Sequence, residues 1–293
     1  MKSAFLFLIC CFVIQVAFSQ NPNNSGTKFS FAFLTDIHLN KDNYAKSDEG
    51  LKQAMDKANQ CKIDFFLTGG DNADIDGLNG KLDTADSLYN RFHRIITSTK
   101  TPVYPCLGNH DRFWGNTSQK QYHGSGLFEK YFGNPYYSFN HKDVHFIVLN
   151  SIESDPKNGY CVGPQQKQWL ADDLKKLDSI TPVVVAMHVP MLSMYYPAVE
   201  GKFSSADVIL NFKEIWNMFK GYNLQMVLQG HQHLDEKIYS KGTWFITGGA
   251  VCASWWGGSF HDTEEGFLLV NVDENNKFSF EYIDYGWTVP EKK

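Results

Sequence analysis

The sequence has no excess of basic charge: 27 lysines and arginines face 32 acids, a net of −5 at pH 7. That excludes a nucleic-acid binder held mainly by a basic surface. There is no low-complexity tract and no internal repeat. Beyond residue 20, no apolar run reaches the ~18 residues of a membrane-spanning helix. Cysteine is sparse, six in 293 residues, with no Cys-x-x-Cys spacing. A zinc knuckle is therefore excluded. Aromatic residues, by contrast, make up 15% of the chain and hydrophobic residues 43%. Such a chain buries a large core and is not disordered.

The first twenty residues stand apart. Lys2 is the only charge before Lys28, and 4–18 is almost wholly apolar. Ala17 and Ser19 place small residues at −3 and −1 of a cut before Gln20. This is the layout of a secretory signal peptide. The expectation is a signal peptide over 1–19, a flexible leader over 20–28 and one domain over 29–293. The protein would then be secreted or periplasmic, with no membrane span after cleavage. An uncleaved N-terminal anchor is the alternative. Cys61, Cys106, Cys161 and Cys252 follow the cut. An oxidising compartment permits disulfides among them, and buried thiols fit equally well.

Short apolar runs at 29–34, 63–67 and 103–107 read as buried strands, and 48–60 and 82–97 have helical spacing. Close spacing makes 136–139 and 144–150 an antiparallel pair. A helix is expected over 164–177, with Pro164 at its start. A strand at 183–187, a helix at 212–219 and a strand at 224–228 follow. Strands at 237–239, 243–247, 267–272 and 278–282 complete the pattern. Buried strands alternating with helices imply a sheet covered on both faces. The expected fold is α/β, a four-layer α/β/β/α sandwich.

The polar residues just past the strand ends are Asp36, His38, Asp71, Asn109, His110, His188, His231 and His233. Open α/β sheets bind ligands at that end. Carboxylate, imidazole and amide oxygen form a mixed oxygen and nitrogen donor set. It suits borderline metals such as zinc, manganese or iron, divalent or trivalent. Eight such groups are too many for one metal with open positions. They fit two metals that share a carboxylate. A single Asp-x-His, or one histidine after a strand, would more often be a satisfied core group. Five such tips in one chain are not explained that way.

The blocks Asp36-Ile37-His38, Gly70-Asp71-Asn72, Gly108-Asn109-His110-Asp111, His188 and Gly230-His231-Gln232-His233 resemble the calcineurin-like metallophosphoesterase superfamily. The resemblance spans about 29–285. It implies a β-sandwich flanked by helices, with a dinuclear metal site at the C-terminal strand ends. It assigns Asp36, His38 and His233 to one metal, and Asn109, His188 and His231 to the other, with Asp71 shared. Two metals about 3.5–4 Å apart clamp the attacking and leaving oxygens of phosphoryl transfer. The resemblance implies attack by metal-bound hydroxide on a small-molecule phosphate ester. His110 would protonate the leaving group, with Asp111 orienting it.

The purple acid phosphatase branch carries Tyr three residues after the shared Asp, where this chain has Asp74. The chain is more similar to a bacterial cyclic-nucleotide phosphodiesterase-like branch, through Ser254-Trp255-Trp256-Gly257-Gly258 and Tyr285-Gly286-Trp287. A phosphodiesterase is expected, with a phosphomonoesterase as the alternative and a non-catalytic metal-binding domain more remote. Trp255 and Trp256 are candidates for stacking on a base or organic leaving group, or for packing as core. Arg112 is a candidate for a phosphate oxygen, or a solvated charge. Tyr195, Tyr196 and Trp114 are candidates for the mouth, and His261 and Asp262 for a surface loop near it. The substrate, native metals and oligomeric state are not encoded in any motif.

Overall fold

The structure, a computed structural model, describes residues 26–155 and 159–291. The expected signal peptide and its cut lie outside the described residues. The chain opens with β1 (Thr27–Leu34), so the last residues of the expected leader already belong to a strand. Then come α1 (Ser47–Gln60), β2 (Phe65–Thr68), α2 (Leu82–Thr97) and β3 (Val103–Tyr104). After α3 (Gly126–Phe132) follow β4 (Tyr137–His141), β5 (Val144–Leu149), β6 (Glu153–Asp155), β7 (Gly159–Cys161) and α4 (Pro164–Leu174). The second half continues with β8 (Pro182–Met187), α5 (Tyr195–Glu200), α6 (Phe212–Met218) and β9 (Asn223–Gln229). It ends with β10 (Glu236–Ser240), β11 (Thr243–Thr247), β12 (Gly266–Asp273) and β13 (Phe278–Asp284).

The strands form two large mixed sheets, ordered β13-β12-β1-β2-β3 and β10-β11-β9-β8-β5-β4. β6 and β7 pair separately. β1, β2 and β3 run parallel, as do β5, β8, β9 and β11. Their C-terminal ends therefore emerge together, and the polar tips with them. β12 pairs antiparallel with β1, which ties the end of the chain to its beginning.

Period-two alternation splits the apolar residues between two cores. Phe31, Phe33, Phe65, Phe146, Val184 and Met226 belong to one cluster, built from both sheets without a helical residue. Phe31 and Phe65 stack at 5.0 Å, and Phe146 meets both edge-on. Their neighbours Ala32, Leu34 and Phe66 turn the other way, toward the helices. α1 covers that face with Leu51, Ala54, Met55 and Ala58, in keeping with the helical spacing of 48–60. The result is two sheets face to face with helices outside.

Most boundaries shift by one or two residues, and two differ by three. The run 103–107 forms strand only over Val103–Tyr104. Pro105 has no N–H to donate, and the Cys106 N–H goes to Thr68 Oγ1 at 2.9 Å. The helix expected over 164–177 ends at Leu174. α3 and α5, of seven and six residues, are too short to carry a periodic stripe. All four described cysteines are free thiols, which decides between the two readings left by the sequence.

Trp256 is not a mouth residue. It is wholly buried, its Nε1 donates to the His38 carbonyl at 3.2 Å, and it meets Trp287 edge-on. A Cβ at Gly50 of α1 would lie 2.1 Å from its ring. Truncating a buried tryptophan leaves a cavity, so Trp256→Ala should destabilise the fold by about 3–5 kcal/mol. Urea denaturation checks this; a loss under about 1 kcal/mol would contradict the core assignment.

Candidate metal centre

Each ligand candidate sits where the chain leaves a strand and turns sharply. Asp36, His38, Asp71, His231 and His233 all have positive φ, between 50° and 74°. Such backbone is costly for residues with a Cβ and persists only where the surroundings hold it. Here backbone hydrogen bonds hold it. Asp36 N–H donates to Gly70 O at 3.0 Å, and Ile37 and His38 N–H both donate to Asp71 O at 2.9 Å. The loops after β1 and β2 are thereby locked together. The loop after β3 comes closer still: a Cβ on Gly108 would lie 2.0 Å from Asp71 N, so only glycine fits.

The side chains converge. Asp71 Oδ2 lies 3.1 Å from His188 Nε2 and 3.6 Å from His38 Nε2. His188 Nε2 is also 3.0 Å from Asn109 Oδ1. His233 Nε2 is 3.4 Å from Asp36 Oδ1 and 3.0 Å from His38 Nε2. Asp36, His38 and Asp71 form one compact donor group, and Asp71, His188 and His231 another. Asp71 is common to both. All seven expected ligands are thus brought together. A third group joins His38 and His233 to Cys252. Burial holds the Cys252 thiol well above its usual range, in its neutral form.

The donor set fits metal ions on a test of tautomers. His38, His188 and His233 each face a protein oxygen through Nδ1: Asp74 at 2.7 Å, Gly69 O at 2.8 Å and Ala253 O at 2.6 Å. An N–H points at each of those acceptors, so Nε2 is the ring nitrogen that each histidine turns to the centre. The Nε2 atoms of His38 and His233 face each other at 3.0 Å. That pair can share a proton or, with the proton displaced, turn both nitrogens to one metal ion. Metal-ligating histidines are commonly supported in this way through the other ring nitrogen. His231 is turned round, with Nε2 on Ala206 O at 2.9 Å and Nδ1 left for the centre.

The electrostatics agree. Burial pushes the Asp71 carboxyl up, but His188, then His38 and His110, hold it well below the usual carboxylate range. Burial and the charge of His188 push His231 down to about 4, and burial likewise lowers His233. Burial opposes the proton on His188, yet Asp71 raises it to about 9. A buried carboxylate therefore draws positive charge into the centre, which metal ions would supply.

His110 and Asp111 part company. Asp111 is wholly buried and accepts from the N–H groups of Asn72, Ala73 and Gly108 at 2.8–3.2 Å. It does not orient His110. It satisfies the donors of two ligand loops, and burial and then Asp71 raise its pKa to about 7. Asp76 takes the expected place: its Oδ1 lies 3.0 Å from His110 Nδ1. Burial opposes the charge on His110, but this hydrogen bond and Asp71 lift it to about 9. Bound cations would cancel part of that shift. The His110 ring meets His38 edge-on at 5.0 Å. Asp74 and Asp76 were overlooked as partners; the signal was the acidic Asp71–Asp76 loop itself.

The other candidates divide. Trp255 is half-exposed and stacks on His233 at 4.3 Å, with His38 at 5.7 Å. It borders a cavity of about 330 Å³ with His38, Asp74 and Lys41. Arg112 is not a free phosphate anchor. Its Nε and Nη1 donate to the carbonyls of Asn109 and Ile152, and its guanidinium lies over Trp114 and Tyr160. It fixes the Asn109 loop. Tyr196 lines a second cavity of about 260 Å³ with His231, Lys202 and Asp207. Tyr195 and Tyr196 both meet the His261 ring. Among the described residues, no helix is long and apolar enough to cross a membrane.

Comparison with known proteins points the same way. Two Arabidopsis thaliana proteins are similar over part of this chain. Purple acid phosphatase 15 is 32% identical over 104 residues, 35% of this chain and 18% of that protein. Probable purple acid phosphatase 20 is 33% identical over 108 residues, 36% of this chain and 23% of that protein. The chain thus spans under a quarter of those relatives, and they bear the name of the branch that the sequence reading set aside on Asp74. The fold is similar to that of a dimetal phosphatase from Danio rerio, with a TM-score of 0.63 and 15% identity. That match covers 87% of this chain and 96% of the other. It is also similar to the anchor in the inner membrane complex of Plasmodium, with a TM-score of 0.54, 16% identity and coverage of 88% and 84%. The calcineurin-like phosphoesterase model matches residues 29–235, which contain all seven converging residues. The chain belongs to the calcineurin-like phosphoesterase family.

Proposed function

We propose that the protein is an exported phosphodiesterase with two metal ions, iron, manganese or zinc, at the converging ligands. The observation that carries this reading is the place of Asp71, whose Oδ2 lies between His188 Nε2 and His38 Nε2. Asp36, His38 and His233 would hold one ion, and Asn109, His188 and His231 the other. When bound, the ions would neutralise the phosphate and lower the pKa of an attacking water. The rest is work for the chain. Residues 29–293 are read as one domain, since β12 completes the sheet begun by β1.

Water adds to phosphorus, the P–O bond to one alcohol breaks, and that alcohol departs with a proton. His110 gives the proton, and Asp76 holds its ring through Nδ1. Trp255 offers a half-exposed face to the organic part of the leaving group. A diester is favoured over a monoester because cavities adjoin the ligand set on two sides. One lies beside His38 and Trp255, the other beside His231. A monoester would use one of them. The monoesterase reading is supported by the names of the similar Arabidopsis phosphatases. Hydrolysis rates on matched mono- and diesters decide between the two.

A general acid is worth about 10²–10⁴ in rate, or about 3–5 kcal/mol of barrier. His110→Ala should retain both metals. It should lose that factor on alkyl or ribose esters and far less on nitrophenyl esters, whose leaving group needs no proton. Steady-state kinetics on both classes, with elemental analysis, checks this; equal losses would count against the role. Asp76→Asn should show the same bias, more weakly.

Export rests on the apolar run that ends in Ala17-Phe18-Ser19. N-terminal sequencing of protein recovered outside the cytoplasm should begin at Gln20. A retained Met1 would contradict cleavage.

A further inference from the structure

Beside the His231 flank lies a surface that no step above uses. Nine large hydrophobic residues are exposed among the described residues, and four of them fall between 194 and 212. They are Met194, Val199, Phe203 and Phe212, and Phe203 is 83% exposed. Exposed apolar residues scattered singly need no explanation, but a cluster does. Three of the four, Met194, Phe203 and Phe212, line one cavity of about 210 Å³ together with Met191, Leu192 and Val208, among others.

The cavity adjoins the one that reaches the metal centre. It shares Ser204, Asp207 and Gln232 with the cavity that reaches His231. Gln232 stands between His231 and His233 in the chain, and its side chain donates to Asp207 O at 3.1 Å. His231 Nε2 contacts Ala206 O in the same segment. The apolar walls are thus anchored to the ligand motif itself. They lie one shared wall away from His231.

We propose that this cavity is the subsite for an apolar chain, and that the substrate is an amphiphilic phosphodiester. The inference rests on the phosphodiesterase reading. His110 packs against His38, so the departing alcohol occupies the flank of His38 and Trp255. The alcohol retained on phosphorus then lies on the His231 flank, with its chain against Met194 and Phe203. Hydrolysis yields the free leaving alcohol and a phosphomonoester that keeps the chain. The polar mouth, with Lys202 and Tyr196, suits the junction between phosphate and chain.

The test compares octyl and methyl 4-nitrophenyl phosphate, below the octyl ester's micelle concentration, on the metal-loaded full chain. The octyl ester should have a kcat/KM at least about tenfold higher, because burying methylenes is favourable. In Phe203→Ser with Met194→Ser, the octyl to methyl ratio should fall to within about twofold of one. Both side chains are substantially exposed, so folding is not at risk. Calorimetric titration with octyl phosphate and methyl phosphate reads the same preference without turnover. Equal values for the two chain lengths in the wild type, in kinetics and in binding, would overturn the proposal. Retention of the octyl preference in the double variant would overturn it too. Wild-type binding to phosphatidylcholine vesicles with no octyl preference would make the face a membrane contact instead. Failure of the phosphodiesterase reading is separate: neither ester would be hydrolysed, while the binding arm would still decide the subsite.

Discussion

The structure turns on one buried carboxylate. Asp71 sits at the end of β2 with its side chain in the interior, where an ionised group without compensation is expensive. Its compensation comes from every neighbouring loop. His110 N–H donates to Oδ1 at 2.7 Å, and the imidazoles of His38 and His188 face Oδ2. Its backbone carbonyl accepts from Ile37 and His38, which forces the β1 loop into register with it. The left-handed residues and close glycines around the centre follow from that packing. A looser site would not need them.

The same constraint explains why so many polar groups of the site serve other polar groups. Asp111 spends its carboxylate on three backbone donors. Asp74, Gly69 O and Ala253 O each hold one imidazole. Arg112 braces the carbonyl beside Asn109. These groups fix the direction of the converging side chains, as a site for two cations would require.

The alternation of strand, polar tip and helix was legible in the sequence, and so was the convergence of the seven tip residues. Both depend on local pattern: a buried run must end where polar residues begin. What escaped depended on which way adjacent side chains turn. Asp111 follows His110, and neighbours in sequence suggested neighbours in space. The turn instead sends Asp111 inward to the loop N–H groups and leaves the ring to Asp76, 34 residues upstream. Trp255 and Trp256 divide likewise, one against His233 and one beneath the loop. Spacing cannot distinguish adjacent residues in an irregular turn. The apolar cavity was invisible for a related reason: α5 and the segment after it are too short and irregular to show a periodic face.

The most direct test of the account is where metal ions bind. Crystals of the manganese-loaded protein should give two anomalous-scattering peaks, one on each side of the Asp71 carboxylate. Asp71→Asn should lose occupancy at both, since it removes the charge they share. One peak in the wild type, or two fully occupied peaks in Asp71→Asn, would contradict the claim that this buried carboxylate organises a two-metal centre.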